Sequence, residues 1–109
     1  MAHPDSSSRR IPFASMQWEQ VRPDVRQKVH CEAGRQVRLV SFDTSDGPQH
    51  WCDVGHIGYV LEGALSIDFD GKVEHFKAGD GIFIPTGEEH RHRAVSIAPG
   101  TLLLMVEDL

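Results

Sequence analysis

The sequence lacks a membrane-spanning apolar run, an excess of basic charge and a disulfide framework. No apolar stretch approaches the roughly 18 residues that a membrane helix needs. The 109 residues carry 11 Lys and Arg against 16 Asp and Glu, a net charge of -5, which disfavours nucleic acids and anionic membranes as partners. Cys31 and Cys52 are too few for a disulfide scaffold. The polar N-terminus has no signal-peptide core, so we expect a cytoplasmic protein.

A helical repeat is also missing, because no segment shows a sustained 3.6-residue apolar period. Short apolar runs between glycine-rich turns predict strands instead, and Asp70-Gly71 is typical of a two-residue hairpin turn. We therefore predict one all-β sandwich or barrel over residues 11–109, behind a flexible N-terminus at residues 1–10. Residues 11–21 would form an irregular arm or a short strand. The predicted strands are residues 25–29, 36–42, 57–62, 64–70, 73–76, 82–84, 89–95 and 101–106.

Histidines are frequent, with seven in this short chain. In an extended chain, residues two apart share a face, so His50 and Cys52 would point to the same place. Gly55 would let the backbone bend and bring His56 to that place as well. Imidazole and thiolate are ligands that zinc, iron, nickel and copper prefer. The spacing alone leaves an alternative, in which the histidines are solvated and Cys52 is a small buried apolar residue.

A second pair of histidines lies in the predicted strand at residues 89–95. His90 and His92 would share one face of it, while Arg91 and Arg93 would point to the other.

The longer pattern resembles the small single-domain cupins. The first cupin motif has the form G-x5-H-x-H-x3-4-E-x6-G, and here His50, Cys52 and His56 occupy its two His positions and its Glu position. Gly63 matches the closing glycine, whereas Thr44 stands where the opening glycine is expected. The run from Tyr59 to Gly63, YVLEG, is also typical of this family.

The second cupin motif, G-x5-P-x-G-x2-H-x3-N, is matched more closely. Gly79, Pro85, Gly87 and His90 stand in register, and Ala94 replaces the usual Asn. The resemblance covers about residues 34–106. It implies a double-stranded β-helix, also called a jelly-roll barrel, with the metal or ligand in the barrel mouth.

The resemblance also implies a metal site formed by His50, Cys52, His56 and His90. Three imidazoles and a thiolate replace the usual three histidines and a carboxylate. The softer set favours zinc among divalent transition metals, with iron, nickel or copper as alternatives. It also makes oxygen activation less expected than in other cupins.

Cupin resemblance leaves several functions open. The first is a metal-dependent enzyme, such as an isomerase, lyase or dioxygenase, acting on a small polar molecule such as a sugar derivative or an organic acid. His92 would move a proton there, and Tyr59 is a second candidate for the pocket. The alternatives are a non-catalytic small-ligand or metal-binding module and a structural zinc site.

Small cupins commonly dimerise, and we expect a homodimer. Phe13, Met16 and Trp18 supply the apolar side chains of the N-terminal arm. The arm would cross to the partner.

Overall fold

A computed structural model describes residues 9–43 and 50–109 and folds them into two antiparallel sheets. The larger sheet has the strand order β1-β2-β3-β9-β4-β7 and the smaller one the order β6-β5-β8. The all-β jelly-roll prediction is confirmed. No described helix is long and apolar enough to cross a membrane. The elements are β1 (Glu19–Arg22), β2 (Val25–Glu32), β3 (Arg35–Phe42), β4 (His56–Glu62), β5 (Ala64–Phe69), β6 (Lys72–Lys77), β7 (Gly81–Ile84), β8 (Arg93–Ile97), β9 (Thr101–Asp108) and two 3₁₀ turns, Phe13–Ser15 and Glu88–His90.

Two sequence-based expectations concern residues that the structure does not describe. Residues 1–8, which make up most of the predicted flexible N-terminus, and residues 44–49 lie outside the described residues. Thr44, the departure from the first motif, lies there too.

The core lies between the two sheets and follows the two-residue alternation of the strands. In β7, Ile82 and Ile84 are buried, whereas Phe83 between them points outward and is 75% exposed. Each buried aliphatic side chain contributes roughly 1.5–3 kcal/mol relative to an exposed one. The core consists of Val25, Val40, Phe42, Val60, Leu65, Ile67, Ile82, Ile84, Ile97 and Leu103.

The predicted hairpin turn at Asp70-Gly71 is confirmed. Both residues have positive φ, 55° and 103°, and the flanking residues Phe69 and Lys72 are paired across the hairpin. A side chain with a Cβ is strained in this region, whereas glycine adopts it freely.

The strand predicted at residues 89–95 is wrong in its first half. Glu88–His90 form a 3₁₀ turn, closed by a bond from the His90 N–H to the Gly87 carbonyl at 3.0 Å, and β8 begins only at Arg93. Gly87 has a φ of 142°, which favours glycine. Because the turn interrupts the alternation, His90 and His92 do not share a face.

Candidate metal centre

Cys52 and His92 are brought together by a short antiparallel bridge outside the named strands. The Cys52 N–H donates to the His92 carbonyl at 2.8 Å, and the His92 N–H donates to the Cys52 carbonyl at 2.9 Å. Residues that exchange both hydrogen bonds lie directly opposite each other, with their side chains on one face. The backbone pairing therefore sets the Cys52 thiol beside the His92 ring.

The opposite face of this bridge carries a tryptophan between two arginines. The guanidinium carbons of Arg91 and Arg93 lie 4.7 and 4.5 Å from the Trp51 ring centroid. Alternation places Trp51 and Arg91 on the face away from Cys52 and His92, whereas Arg93 also lines the cavity that Cys52 and His92 line. We call this group, Trp51 with Arg91 and Arg93, the outer clamp.

Gly55 brings His56 to the same place. The Gly55 N–H donates to the Thr86 hydroxyl at 2.8 Å. A Cβ at position 55 would lie only 2.5 Å from the Ile84 carbonyl oxygen and 2.6 Å from the Thr86 nitrogen. This close approach needs glycine, and it presses the start of β4 against the end of β7.

The resulting group joins one thiol and two imidazoles. The possible ligand atoms of Cys52, His56 and His92 all lie within 4.8 Å of one another. The two imidazole rings meet edge to face with centroids 5.0 Å apart. A thiolate and two imidazoles at this spacing fit a divalent transition metal.

His92 is suited to bind metal because its surroundings favour the neutral ring. The residue is only 5% exposed. Burial lowers the pKa of His92, and the nearby His56 adds to that effect, although a hydrogen bond with the His90 carbonyl opposes it. That bond joins His92 Nδ1 to the carbonyl oxygen at 3.1 Å and leaves Nε2 as the ring's other nitrogen.

The other residues expected at the site, His50, His90 and Tyr59, lie outside this group of three. His50 is exposed and lines the same cavity as Cys52, His56 and His92. The His90 side chain is 43% exposed, and its Nε2 lies 3.8 Å from Glu89 Oε1, so the structure does not bring it into the group. Tyr59 lies on the outer face of the larger sheet and is 45% exposed.

A buried carboxylate, which the sequence analysis missed, lies beside His56. Glu107 is 6% exposed, and its Oε2 lies 2.5 Å from His56 Nδ1, with angles short of an ideal hydrogen bond. Arg38 donates to both carboxylate oxygens at 2.8 Å, and Gln36 donates to Oε1 at 2.9 Å. Burial alone would raise the pKa of Glu107, but His56, Arg38 and Gln36 lower it to about 2.

The cavity in front of the group has a volume of about 300 Å³. Besides Cys52, His56 and His92, its polar lining residues are Arg22, Arg38, His50 and Arg93. Cavities of this size accommodate small ligands. The apolar lining residues are Phe42, Leu65, Ile67, Ile82, Ile84, Ala94, Ile97, Leu103 and Met105.

Comparisons with known proteins agree with the architecture. The cupin domain profile matches residues 27–106. A search of curated proteins finds no significant match. Among solved structures, KdgF from Halomonas sp. is similar with a TM-score of 0.73 and 22% identity, over 90% of this chain and 89% of that one.

Two further solved structures show the same likeness. An RmlC-like cupin from Shewanella frigidimarina has a TM-score of 0.70 and 18% identity, over 87% of this chain and 85% of that one. The polyketide cyclase RemF from Streptomyces resistomycificus has a TM-score of 0.68 and 25% identity, over 91% of this chain and 78% of that one.

Proposed function

Because the chain belongs to the cupin domain family, we propose that it is a metal-dependent enzyme acting on a small molecule in the barrel mouth. The observation that carries this proposal is the group of Cys52, His56 and His92, whose possible ligand atoms lie within 4.8 Å of one another. The group opens on the cavity of about 300 Å³ rather than on the outer surface.

We assign metal binding to these three residues. Zinc suits one thiolate and two imidazoles best, and iron, nickel or copper are the alternatives. Three protein ligands leave a position for water or substrate, as in catalytic zinc sites. His50 lines the cavity and is the candidate fourth ligand. Four protein ligands would instead close the site and favour the structural role.

The chain's own residues would shape the reaction. A bound metal would supply a Lewis acid that polarises a carbonyl or activates water. The apolar walls would exclude bulk water and strengthen the electrostatic interactions inside the cavity. His50 is exposed and lines the cavity, which supports a contact with a polar group of a bound molecule.

Within the expected substrates, the walls favour an organic acid with an apolar body over a sugar derivative. The lining of the cavity includes aliphatic and aromatic side chains, among them Phe42, Ile82 and Leu103. Sugar hydroxyls that lost water there without new partners would cost free energy. A polyketide cyclase is among the structural neighbours, which supports small-molecule chemistry.

Metal analysis and zinc titration of the purified protein test the proposed centre. We expect one metal ion per chain in the wild type and a large loss of affinity in Cys52→Ala. A wild type that takes up no transition metal would contradict the proposal.

Substrate screening separates an enzyme from a binding module. Turnover of a carboxylic acid that disappears in His56→Ala supports the enzyme. Thermal stabilisation by such compounds without turnover favours the non-catalytic module instead.

We also retain one domain over residues 11–109, a cytoplasmic location and a homodimer as proposals. The outer face of the larger sheet supports the dimer, because Ile57 and Phe83 face each other across β4 and β7 and are 51% and 75% exposed. Tyr59 extends this apolar patch along β4. Contiguous apolar patches of this kind mark interfaces, and a two-fold dimer would cover the patch with its own copy.

A further inference from the structure

In both histidines of the proposed centre, the Nδ1 atom of the ring faces a protein oxygen atom. His92 Nδ1 lies 3.1 Å from the His90 carbonyl oxygen, and His56 Nδ1 lies 2.5 Å from Glu107 Oε2. A neutral imidazole has one donor nitrogen and one acceptor nitrogen, so an oxygen facing Nδ1 favours the proton there. The acceptor lone pair is then on Nε2.

The carboxylate that faces His56 is held on its other sides. Arg38 binds both oxygens through Nε and Nη2, each at 2.8 Å, and a guanidinium fork of this kind fixes the plane of a carboxylate. Gln36 adds a third donor at 2.9 Å. Gln36 and Arg38 lie on β3, which pairs directly with the β9 strand of Glu107. The pairing of β3 with β9 thus holds the Glu107 carboxylate in place beside the positive charge of Arg38.

A contribution to stability does not by itself explain why the sheet buries the charged pair of Glu107 and Arg38. Removing two charges from water is costly, and apolar residues of similar volume stabilise a core as well or better. The neighbouring strand positions show that apolar residues fit this sheet, since Leu103 and Met105 precede Glu107 on the same face of β9. A carboxylate is therefore better explained by what it does to His56.

Resting on the proposed metal centre, we propose that Glu107 is the positioning residue of His56. It accepts the Nδ1 proton, fixes the tautomer and directs Nε2 toward Cys52 and His92. Arg38 and Gln36 keep the carboxylate charged and in place. Metal affinity then depends on a side chain that does not itself bind the metal, as carboxylate–histidine pairs do in zinc sites.

Nitrogen-15 NMR of the wild-type imidazoles is the first test. In the metal-free protein we expect His56 to carry its proton on Nδ1, and in the zinc-loaded protein to bind zinc through Nε2. Zinc bound through Nδ1, or a His56 proton on Nε2 in the metal-free protein, would overturn the proposal while leaving the metal centre intact. Failure to take up zinc at all would instead refute the centre, and with it this role of Glu107.

Zinc affinity of Glu107→Gln is the second test. We expect a loss of about 10- to 100-fold, the usual effect of removing such a partner, together with a changed His56 tautomer. Asp80→Asn is the control, because the Asp80 carboxylate also accepts a hydrogen bond, from the Lys77 N–H at 2.9 Å, but lies in the turn between β6 and β7. The control should lose stability without losing zinc affinity.

The stability of each metal-free variant, measured by urea unfolding, separates a folding defect from an affinity defect. If Glu107→Gln folds and binds zinc as tightly as the wild type, Glu107 is only a structural ion pair. If that variant does not fold, the wild-type NMR result decides the question by itself.

Discussion

His90 and His92 are two residues apart, yet their side chains have opposite surroundings. His92 is buried beside Cys52 and His56, whereas His90 lies exposed on a 3₁₀ turn and contributes its backbone carbonyl to His92 Nδ1. The imidazole that matches the second cupin motif is thus not the one that completes the group. The contact of His90 with His92 is made by its backbone carbonyl, so we expect the His90 side chain to be replaceable.

Substitution of each histidine by alanine tests this distinction. We expect His92→Ala to weaken zinc binding by more than about 100-fold, since even outer partners of a ligand account for 10- to 100-fold. His90→Ala keeps the carbonyl and should change zinc affinity by less than about threefold. Isothermal titration measures both, and equal losses in the two variants would contradict the assignment.

The sequence predicts part of the centre because strand alternation and motif spacing report on local geometry. Cys52 and His56 were expected at the site from these patterns, and both belong to the group. For His92 the sequence predicts only the role of a proton carrier. The 3₁₀ turn that separates its face from that of His90 depends on tertiary contacts, which strand alternation does not report. Glu107 gave no sequence signal, since a single acid after an apolar strand usually faces water.

At the scale of elements, the segment before β4 is held in place from both sides of the bridge. The outer clamp packs on one side, and Gly55 packs against Thr86 on the other. Among the described residues, Cys52 lies outside the regular strands and pairs with His92 by an isolated bridge. The Gly87 N–H donates to the neighbouring Asp53 carbonyl at 2.9 Å. We expect the outer clamp and the Gly55 contact to help position the thiol.

Replacement of Trp51 tests the clamp. Each cation–π contact at an exposed site contributes about 0.5–1 kcal/mol, so we expect Trp51→Leu to lower the free energy of unfolding by about 1–2 kcal/mol. If that free energy had held the segment with Cys52 in its zinc-binding conformation, we expect zinc affinity to drop about tenfold. Urea unfolding and zinc titration measure the two effects.

Trp18→Leu is the matched control for the clamp. Trp18 packs on Arg26 and Lys28 at 4.8 and 4.7 Å, on strand β2 and away from the centre. It should lose similar stability and keep its zinc affinity. An unchanged zinc affinity in Trp51→Leu would show that the clamp does not position Cys52.

Gly55→Ala tests the close approach between β4 and β7. The added Cβ would meet backbone atoms of Ile84 and Thr86, which cannot move independently of the sheet. We expect a loss of about 1–3 kcal/mol or more in unfolding free energy. Gly81→Ala is the matched control, because a Cβ there would meet only the Gly58 carbonyl oxygen, at 3.7 Å, which is an ordinary contact. Wild-type stability in Gly55→Ala would refute the tight contact.

Elements differ in how well the sequence predicts them. Residues 36–42 and 101–106 are rich in Val, Leu and other apolar residues, and the structure has strands there. For residues 11–21 the sequence predicts an irregular arm or a short strand, and the structure has a 3₁₀ turn and the start of β1 there. Its conformation depends on Trp18 packing against β2, which local patterns do not report.

For the whole molecule, length, charge and the two cupin motifs predict the family and the jelly-roll architecture. They do not predict which outer surface is covered by a partner. Trp18 of the proposed dimer arm packs on its own chain, whereas Ile57, Tyr59 and Phe83 expose an apolar patch on the larger sheet. The sheet face is therefore the better-supported dimer surface.

Light scattering tests the dimer at this scale. We expect a wild-type dimer and a shift to monomer in Phe83→Glu, because the charge would have to be buried in an apolar interface. Val73→Glu, on the smaller sheet and 46% exposed, is the control and should remain dimeric. A monomeric wild type would contradict the homodimer.

The central claim is that Cys52, His56 and His92 together bind a transition metal. Anomalous diffraction from crystals of the zinc-loaded protein, recorded on both sides of the zinc absorption edge, tests it most directly. The account predicts one strong peak per chain, within bonding distance of the Cys52 sulfur and of Nε2 of both histidines. A peak at His90 without His92, or no peak in the barrel mouth, would contradict it.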